Sequence, residues 1–191
     1  MKKQIGVIVF CLIAVGMKAQ STKGHYVIPQ AALLNGDHSV SGQVQLLGGI
    51  ERNNWSYGIG AAIDYYKVRT VPLFADLRFS FGKKRSVFSY VNIGPNIAWA
   101  LGSQYTYDRL GFYSANGSFS NGLYTDIGIG YTLKSRNQKS VLISLGYSSK
   151  TISETYNEAI FRDFPPFGVD YHERKLLYTF NRLALRIGVK L

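Results

Sequence analysis

From Trp55 to Asp64 the chain reads WSYGIGAAID, and its side chains fall into two unlike sets that alternate residue by residue. Trp55, Tyr57, Ile59, Ala61 and Ile63 form one set; Ser56, Gly58, Gly60, Ala62 and Asp64 form the other. Successive side chains of an extended strand point to opposite faces, so a period of two separates these sets in space. The same alternation recurs over 39–51, 55–66, 72–82, 86–101, 122–133, 140–152 and 176–191, and 24–34 adds a first segment whose alternation is not clear. The stretch LYTDIGIGYTL at 123–133 raises the question of sidedness. Leu123, Ile127, Ile129, Tyr131 and Leu133 share one face, and Tyr124, Asp126, Gly128, Gly130 and Thr132 the other. A glycine-rich face carrying a carboxylate is not the Lys- and Glu-studded surface of a strand in water.

The connections come in two kinds. RNN at 52–54, GKKR at 82–85 and KSRNQK at 134–139 are short and polar, and each follows an even-numbered segment. KVRTV at 67–71, a long piece at 102–121 and a longer one at 153–175 follow odd-numbered segments; NGDHS after the first is the short exception. In an antiparallel meander, odd and even links lie at opposite ends. One end is therefore trimmed and the other elaborated, the asymmetry of outer-membrane barrels with an even strand count.

Aliphatic residues fill the middle of the apolar rows and rings gather near their ends. Trp55, Tyr57 and Phe81 lie near the short turns, Tyr65, Trp99 and Tyr147 near the longer links, and Tyr131 sits in the sixth row. Two aromatic girdles around an apolar band are what a bilayer asks of a barrel's outside. The opposite rows mix small residues with charges of both signs: Asp64, Asp76, Arg78, Asp126, Arg182 and Arg186. An eight-stranded barrel has an interior just wide enough for side chains to fill, and charges buried there need partners. The reading is therefore inverted relative to a soluble fold, with apolar residues out, toward lipid, and ions in, paired with one another. Backbone groups cannot stay unpaired in hydrocarbon, so the sheet must close. The alternative is a soluble secreted ligand-binding barrel such as a lipocalin, with its apolar face inward.

The N-terminus agrees with export. Met1-Lys2-Lys3, an apolar run from Ile5 to Val15 and small residues near Ala19 describe a signal peptide over 1–19, followed by a barrel domain over 20–191. Cys11 is the sole cysteine and lies within the apolar run, so the exported chain is expected to hold together without disulfides. Without Lys2, Lys3 and Lys18 the chain keeps 22 − 3 = 19 basic against 11 acidic residues, a formal charge of +8. Export directs that balance toward membrane surfaces rather than nucleic acid, and no nucleic-acid-binding motif is present.

The C-terminal NRLALRIGVKL alternates, carries Gly188 and ends on an outward Leu191. Together with the leader and the eight-segment meander, it makes the mature chain resemble small eight-stranded outer-membrane β-barrel proteins of OmpA/OmpX type, within the porin-like group. Those barrels commonly end on an aromatic residue, and Leu191 departs from that pattern. The resemblance implies an all-β up-and-down transmembrane barrel in the outer membrane of a Gram-negative envelope. It also implies membrane lipid and the barrel-insertion machinery as partners.

Two features of the alternation stand out. Pro29 in the first segment is expected at a strand end or bulge, and Gly94-Pro95 in the fifth is expected to form a bulge. ANG at 115–117 reads as a hairpin tip, with Tyr105, Tyr107, Phe112 and Tyr113 on a part projecting past the bilayer.

Motifs for chemistry are sparse. GIGAAID at 58–64 lacks the last glycine and the helix of a dinucleotide-binding turn, and there is no P-loop, metal-ligand spacing or nucleophile elbow. Lipid A deacylases and acyltransferases resemble this size and architecture and need a serine activated by histidine. Asp37, His38 and Ser39 lie at the appropriate end, but consecutive residues point apart and do not make a relay. The expectation is a non-enzymatic barrel with no cofactor, catalytic residue or metal site and a lumen closed by its own side chains. It would act through links 102–121 and 153–175 in adhesion, partner binding or envelope integrity.

Overall fold

The computed structural model describes residues 24–37, 39–82, 85–99, 118–134, 140–162 and 168–191. The leader over 1–19, Cys11, His38 and the tip at 115–117 lie outside them. The strands are β1 (His25–Gly36), β2 (Ser39–Arg52), β3 (Trp55–Asp64), β4 (Thr70–Phe81), β5 (Val87–Ala98), β6 (Ser118–Ser120), β7 (Gly122–Lys134), β8 (Ser140–Arg162) and β9 (Gly168–Lys190). Each long strand pairs antiparallel with the next, and β9 returns to β1, so the sheet closes on itself as an eight-stranded barrel. Short β6 prolongs β7 against β8.

The seam between first and last strands runs from Gln30↔Gly188 to Gly36↔Arg182, and Val27 exchanges both backbone bonds with Leu191. Pro29 sits inside this seam, not at a strand end, and pairs in unbroken register with Leu46 on its other side. Inward and outward residues alternate cleanly along β1: Tyr26, Ile28, Gln30, Ala32 and Leu34 are buried. The sequence hides this alternation because both faces of that strand hold apolar residues.

Gly94-Pro95 is not a bulge. Pro72↔Asn96 and Ala75↔Ile93 belong to the same register, so the β4–β5 ladder is interrupted there without an extra residue. A Cβ on Gly94 would lie 2.0 Å from the Leu73 carbonyl oxygen, so the chains touch at backbone level. A bulge occurs instead where β6 meets β7. Ser120 pairs with Ser153 and Tyr124 with Lys150, four steps on one strand against three on the other.

The longest link of the sequence reading is corrected most. β8 and β9 pair without interruption from Ser140↔Lys190 to Arg162↔Gly168. Each strand runs 23 residues, against the roughly 9–11 that a tilted strand needs to cross a bilayer. Most of 153–175 is therefore a two-stranded ribbon that carries the barrel wall outward beyond the other described strands.

The outer face is apolar. Ile59 is 75% exposed, Ile129 64%, Ile187 57% and Leu185 52%, whereas Asp126 and Arg186 are 1% and 2% exposed. Large aliphatics facing outward on nearly every stave, with ions sealed inside, are what a barrel solvated by lipid presents. Trp55, Tyr57, Tyr65, Phe81, Trp99, Tyr131 and Tyr147 are all exposed on this face.

Candidate functional site

The lumen is a filled column, and its layers follow from which inward positions hold charges and which hold rings. At the short-turn end Lys190 and Glu51 form a partly exposed ion pair, with the Lys190 ammonium 5.1 Å from the Tyr26 ring centroid. The Tyr26 hydroxyl donates to Asp76 (3.2 Å), which is paired with Arg78 (2.9 Å). Asp76 and Arg78 are two apart on β4 and so share the inward face. The Arg78 guanidinium lies over the Phe88 and Tyr90 rings, at 5.4 and 5.8 Å.

One layer further in, Asp126 gathers the lumen around itself. Its carboxylate lies 2.7 Å from Arg186 Nη2 and receives bonds from Asn92 Nδ2 (3.3 Å) and the Tyr124 hydroxyl (3.4 Å). Tyr90 donates to the other oxygen at 3.4 Å and accepts from Arg186. Gln30, Gln45 and Gln43 pass a chain of side-chain bonds across β1 and β2, and Gln45 also donates to the Tyr124 hydroxyl (3.2 Å).

Near the end of the longer links, Asp64 is held by two cations, Arg182 and Lys150 (3.0 Å), and all three side chains are fully buried. Arg182 also donates to Ser148 Oγ (2.9 Å). Lys150 donates further to the Val68 carbonyl (2.8 Å) and the Thr70 hydroxyl (3.3 Å), and Tyr66 N donates to Asp64 Oδ1 (2.8 Å). These bonds fold the 65–69 link inward. Tyr66 packs with Leu34, Ala32, Ala184 and Phe180 as an apolar stopper above the ion cluster.

The residues singled out from sequence thus fall into separate layers: Asp64 with Arg182, Asp76 with Arg78, and Asp126 with Arg186. Tyr124 shares the inward face with Asp126 as the alternation predicts, whereas Lys150, Tyr26 and the three glutamines join the lumen network without having been singled out. Lys150 had a signal, since it continues the inward row Ser144, Gly146, Ser148 by one step.

Glycines make room for the rings in this column. A Cβ on Gly146 would stand 2.2 Å from the Tyr90 hydroxyl, and one on Gly130 2.3 Å from the Phe88 ring. The glycine row that posed the question of sidedness is the wall against which lumen aromatics press.

Among the described residues the histidines do not assemble with a nucleophile. His25 is exposed at the short-turn end of β1, opposite Ile50, and His172 is exposed on the projecting ribbon, opposite Glu158.

The closed eight-stranded sheet with a lipid-facing exterior finds its counterpart among solved structures. The crystal structure of the outer membrane protein OprG from Pseudomonas aeruginosa superposes with a TM-score of 0.50 at 13% identity, covering 88% of this chain and 95% of that one. This chain has the fold of a small outer-membrane β-barrel. The solid-state NMR structure of the outer membrane protein AlkL in DMPC bilayers aligns over 90% of this barrel and 92% of its own chain, with TM-score 0.49 and 9% identity. No family model and no curated protein matches the sequence. The barrel is thus an OmpA/OmpX-type architecture in fold, carrying its own sequence.

Proposed function

We propose that this barrel is a non-enzymatic outer-membrane docking protein, with a lumen closed to solutes and a binding surface on the ribbon that β8 and β9 carry beyond the bilayer. The observation that supports this most is the contrast between the two parts. The lumen is occupied along its length by cross-bonded side chains, from Lys190–Glu51 to Asp64–Lys150–Arg182, under the Tyr66 stopper. In this reading its charges serve the barrel: they neutralise one another and fix the staves.

The ribbon has no such internal role. Among the described residues, the outer edge of β8 has no ladder partner beyond Thr155↔Ser118, and neither has that of β9 beyond Arg182↔Gly36. Two open edges on a projecting ladder offer backbone donors and acceptors to another chain. The test has two arms. Mature protein in liposomes should pass small solutes no faster than protein-free vesicles. In intact cells, a photoreactive residue at Leu177, 73% exposed on the ribbon, should give a discrete protein adduct that a lipid-facing position such as Ile129 does not. Porin-like flux, or adducts equal at both positions, would refute the proposal.

A further inference from the structure

At the short-turn end, one corner of the barrel gathers aromatic rings beside two arginines. The outward residues of β3 and β4 there are aromatic and in contact: Trp55 and Phe79 at 4.7 Å between centroids, Trp55 and Tyr57 at 6.4 Å, Phe79 and Phe81 at 4.9 Å edge-on. Trp55, Tyr57 and Phe81 keep between 41% and 49% of their surface exposed. Directly beside this shelf stands Arg52, exposed and paired in register with Trp55, on the same outward face.

The neighbouring turn adds a second guanidinium. Ser80 N bonds the Asn54 carbonyl (2.8 Å), laying the two turns side by side. Arg85 then reaches across to the Asn53 carbonyl through Nη1 (2.9 Å). Among the described residues that carbonyl is the one partner of its guanidinium, which leaves the remainder of the donor fork available. Arg85 and Asn53 both hold positive φ, 49° and 57°, a conformation that costs an arginine energy and fixes where its side chain leaves the turn. Glu51, the acid on β2 next to this corner, is already bound by Lys190. Among the described residues, the corner therefore combines positive charge without an acidic partner with an apolar aromatic surface one residue deeper in the wall.

We propose that this corner is a binding site for an anionic phospholipid of the periplasmic leaflet. The Arg52 and Arg85 guanidiniums hold its phosphate, and the Trp55–Phe79–Phe81 shelf lies along its glycerol and upper acyl chain. Arginine suits the first part, because its fork matches phosphate oxygens in pairs and tolerates partial dehydration. Aromatic rings suit the second, because they settle at headgroup depth. The site is independent of what the external ribbon binds.

Trp55 provides the test. The chain has two tryptophans, so Trp99→Phe leaves Trp55 as the sole indole fluorophore. The protein is reconstituted in phosphatidylcholine vesicles containing a minor, equal fraction of either brominated phosphatidylglycerol or brominated phosphatidylcholine. The anionic lipid should be enriched at Trp55 roughly fivefold over the zwitterionic one, the attraction expected from one basic residue at a surface. Arg52→Gln with Arg85→Gln, folding checked by heat-dependent gel mobility, should bring the ratio near one. Raising salt on the unsubstituted arginines should weaken it in the same direction, independently of how the double variant inserts. Equal quenching by the two lipids, or a preference that persists in the double variant or at high salt, would overturn the site.

Discussion

Lys150 and Asp64 meet in the outer third of the lumen, ammonium to carboxylate at 3.0 Å, with neither side chain reaching solvent. Arg182 binds the same carboxylate from β9, so one anion answers two cations. This asymmetry makes the two ends of the contact unequal. Asp64→Asn leaves both cations buried without a charge partner and should cost about 3–5 kcal/mol, the range for breaking a buried pair from one side. Lys150→Met leaves Asp64 paired with Arg182 and should cost clearly less. Urea unfolding of both variants in the same detergent gives the order; an equal or reversed order would mean that Arg182 does not hold Asp64.

The Tyr90 ring and Gly146 supply a second comparison. A methyl at Gly146 enters the space of the Tyr90 hydroxyl, so Gly146→Ala should destabilise by about 1–3 kcal/mol, as overpacking does. Tyr90→Phe has its own cost, since the hydroxyl bonds Asp126 and Arg186. Once the hydroxyl is gone the methyl has more room, so the double variant should be less destabilised than the sum of the two. Additive losses would show that the Ile127 carbonyl, 2.8 Å from the same Cβ, is the main obstacle.

Ile129 tests which solvent the outer face meets. It is 64% exposed in the middle of β7, flanked by Ile127 and Tyr131 on the same face. In a bilayer Ile129→Arg should cost about 2–4 kcal/mol, the cost of arginine at mid-depth on a barrel's lipid face. On a water-facing strand the same change is near neutral. Unfolding measured in liposomes distinguishes the two.

How legible this barrel is from sequence depends on which solvent each strand meets. β3, β5 and β7 cross lipid on one face and a packed lumen on the other, so their two residue sets differ and the period of two is plain. β1 places Ile28, Ala32 and Leu34 in the lumen and Ala31 and Leu33 outside, so both faces look alike and the period fades. The ends of β8 and β9 fail for another reason. Past the bilayer a strand has no need of an apolar face, so 153–175 reads as a link although the backbone ladder continues to Arg162↔Gly168. Lys150 carries no lumen signal beyond its inward parity, and its three acceptors show why it lies inside. Proline and glycine at 94–95 suggested a bulge that the register does not contain. The real one lies at Asn121-Gly122, an Asn-Gly pair whose turn chemistry is itself a signal for a break in the strand.

The ribbon should be separable from the barrel. Glu154 faces Leu176 in the ladder, so replacing 155–175 by an Asn-Gly turn keeps the pairing of every residue below it. The shortened protein should still show heat-modifiable mobility and unfold within about 1 kcal/mol of the parent, because none of the lumen ion pairs among the described residues lies in the excised part. Loss of the folded band would show that the ribbon nucleates or holds the β8–β9 pairing.

Pro29 gives the most local prediction. Val27 exchanges both backbone bonds with Leu191, so the odd residues of β1 aim their backbone groups at β9. The next such position toward the middle is Pro29, opposite Val189, and proline has no N–H to give. The seam that closes the barrel therefore lacks one donor where the first and last strands meet. Pro29→Ala supplies it at a position whose neighbours are already in strand conformation. One restored bond contributes about 0.5–1.5 kcal/mol, partly offset by the freer unfolded chain that alanine allows. The variant should be slightly more stable in urea, and amide exchange at Val189 and Leu191 should slow. Faster exchange there would mean that the proline, rather than the missing bond, sets the geometry of closure.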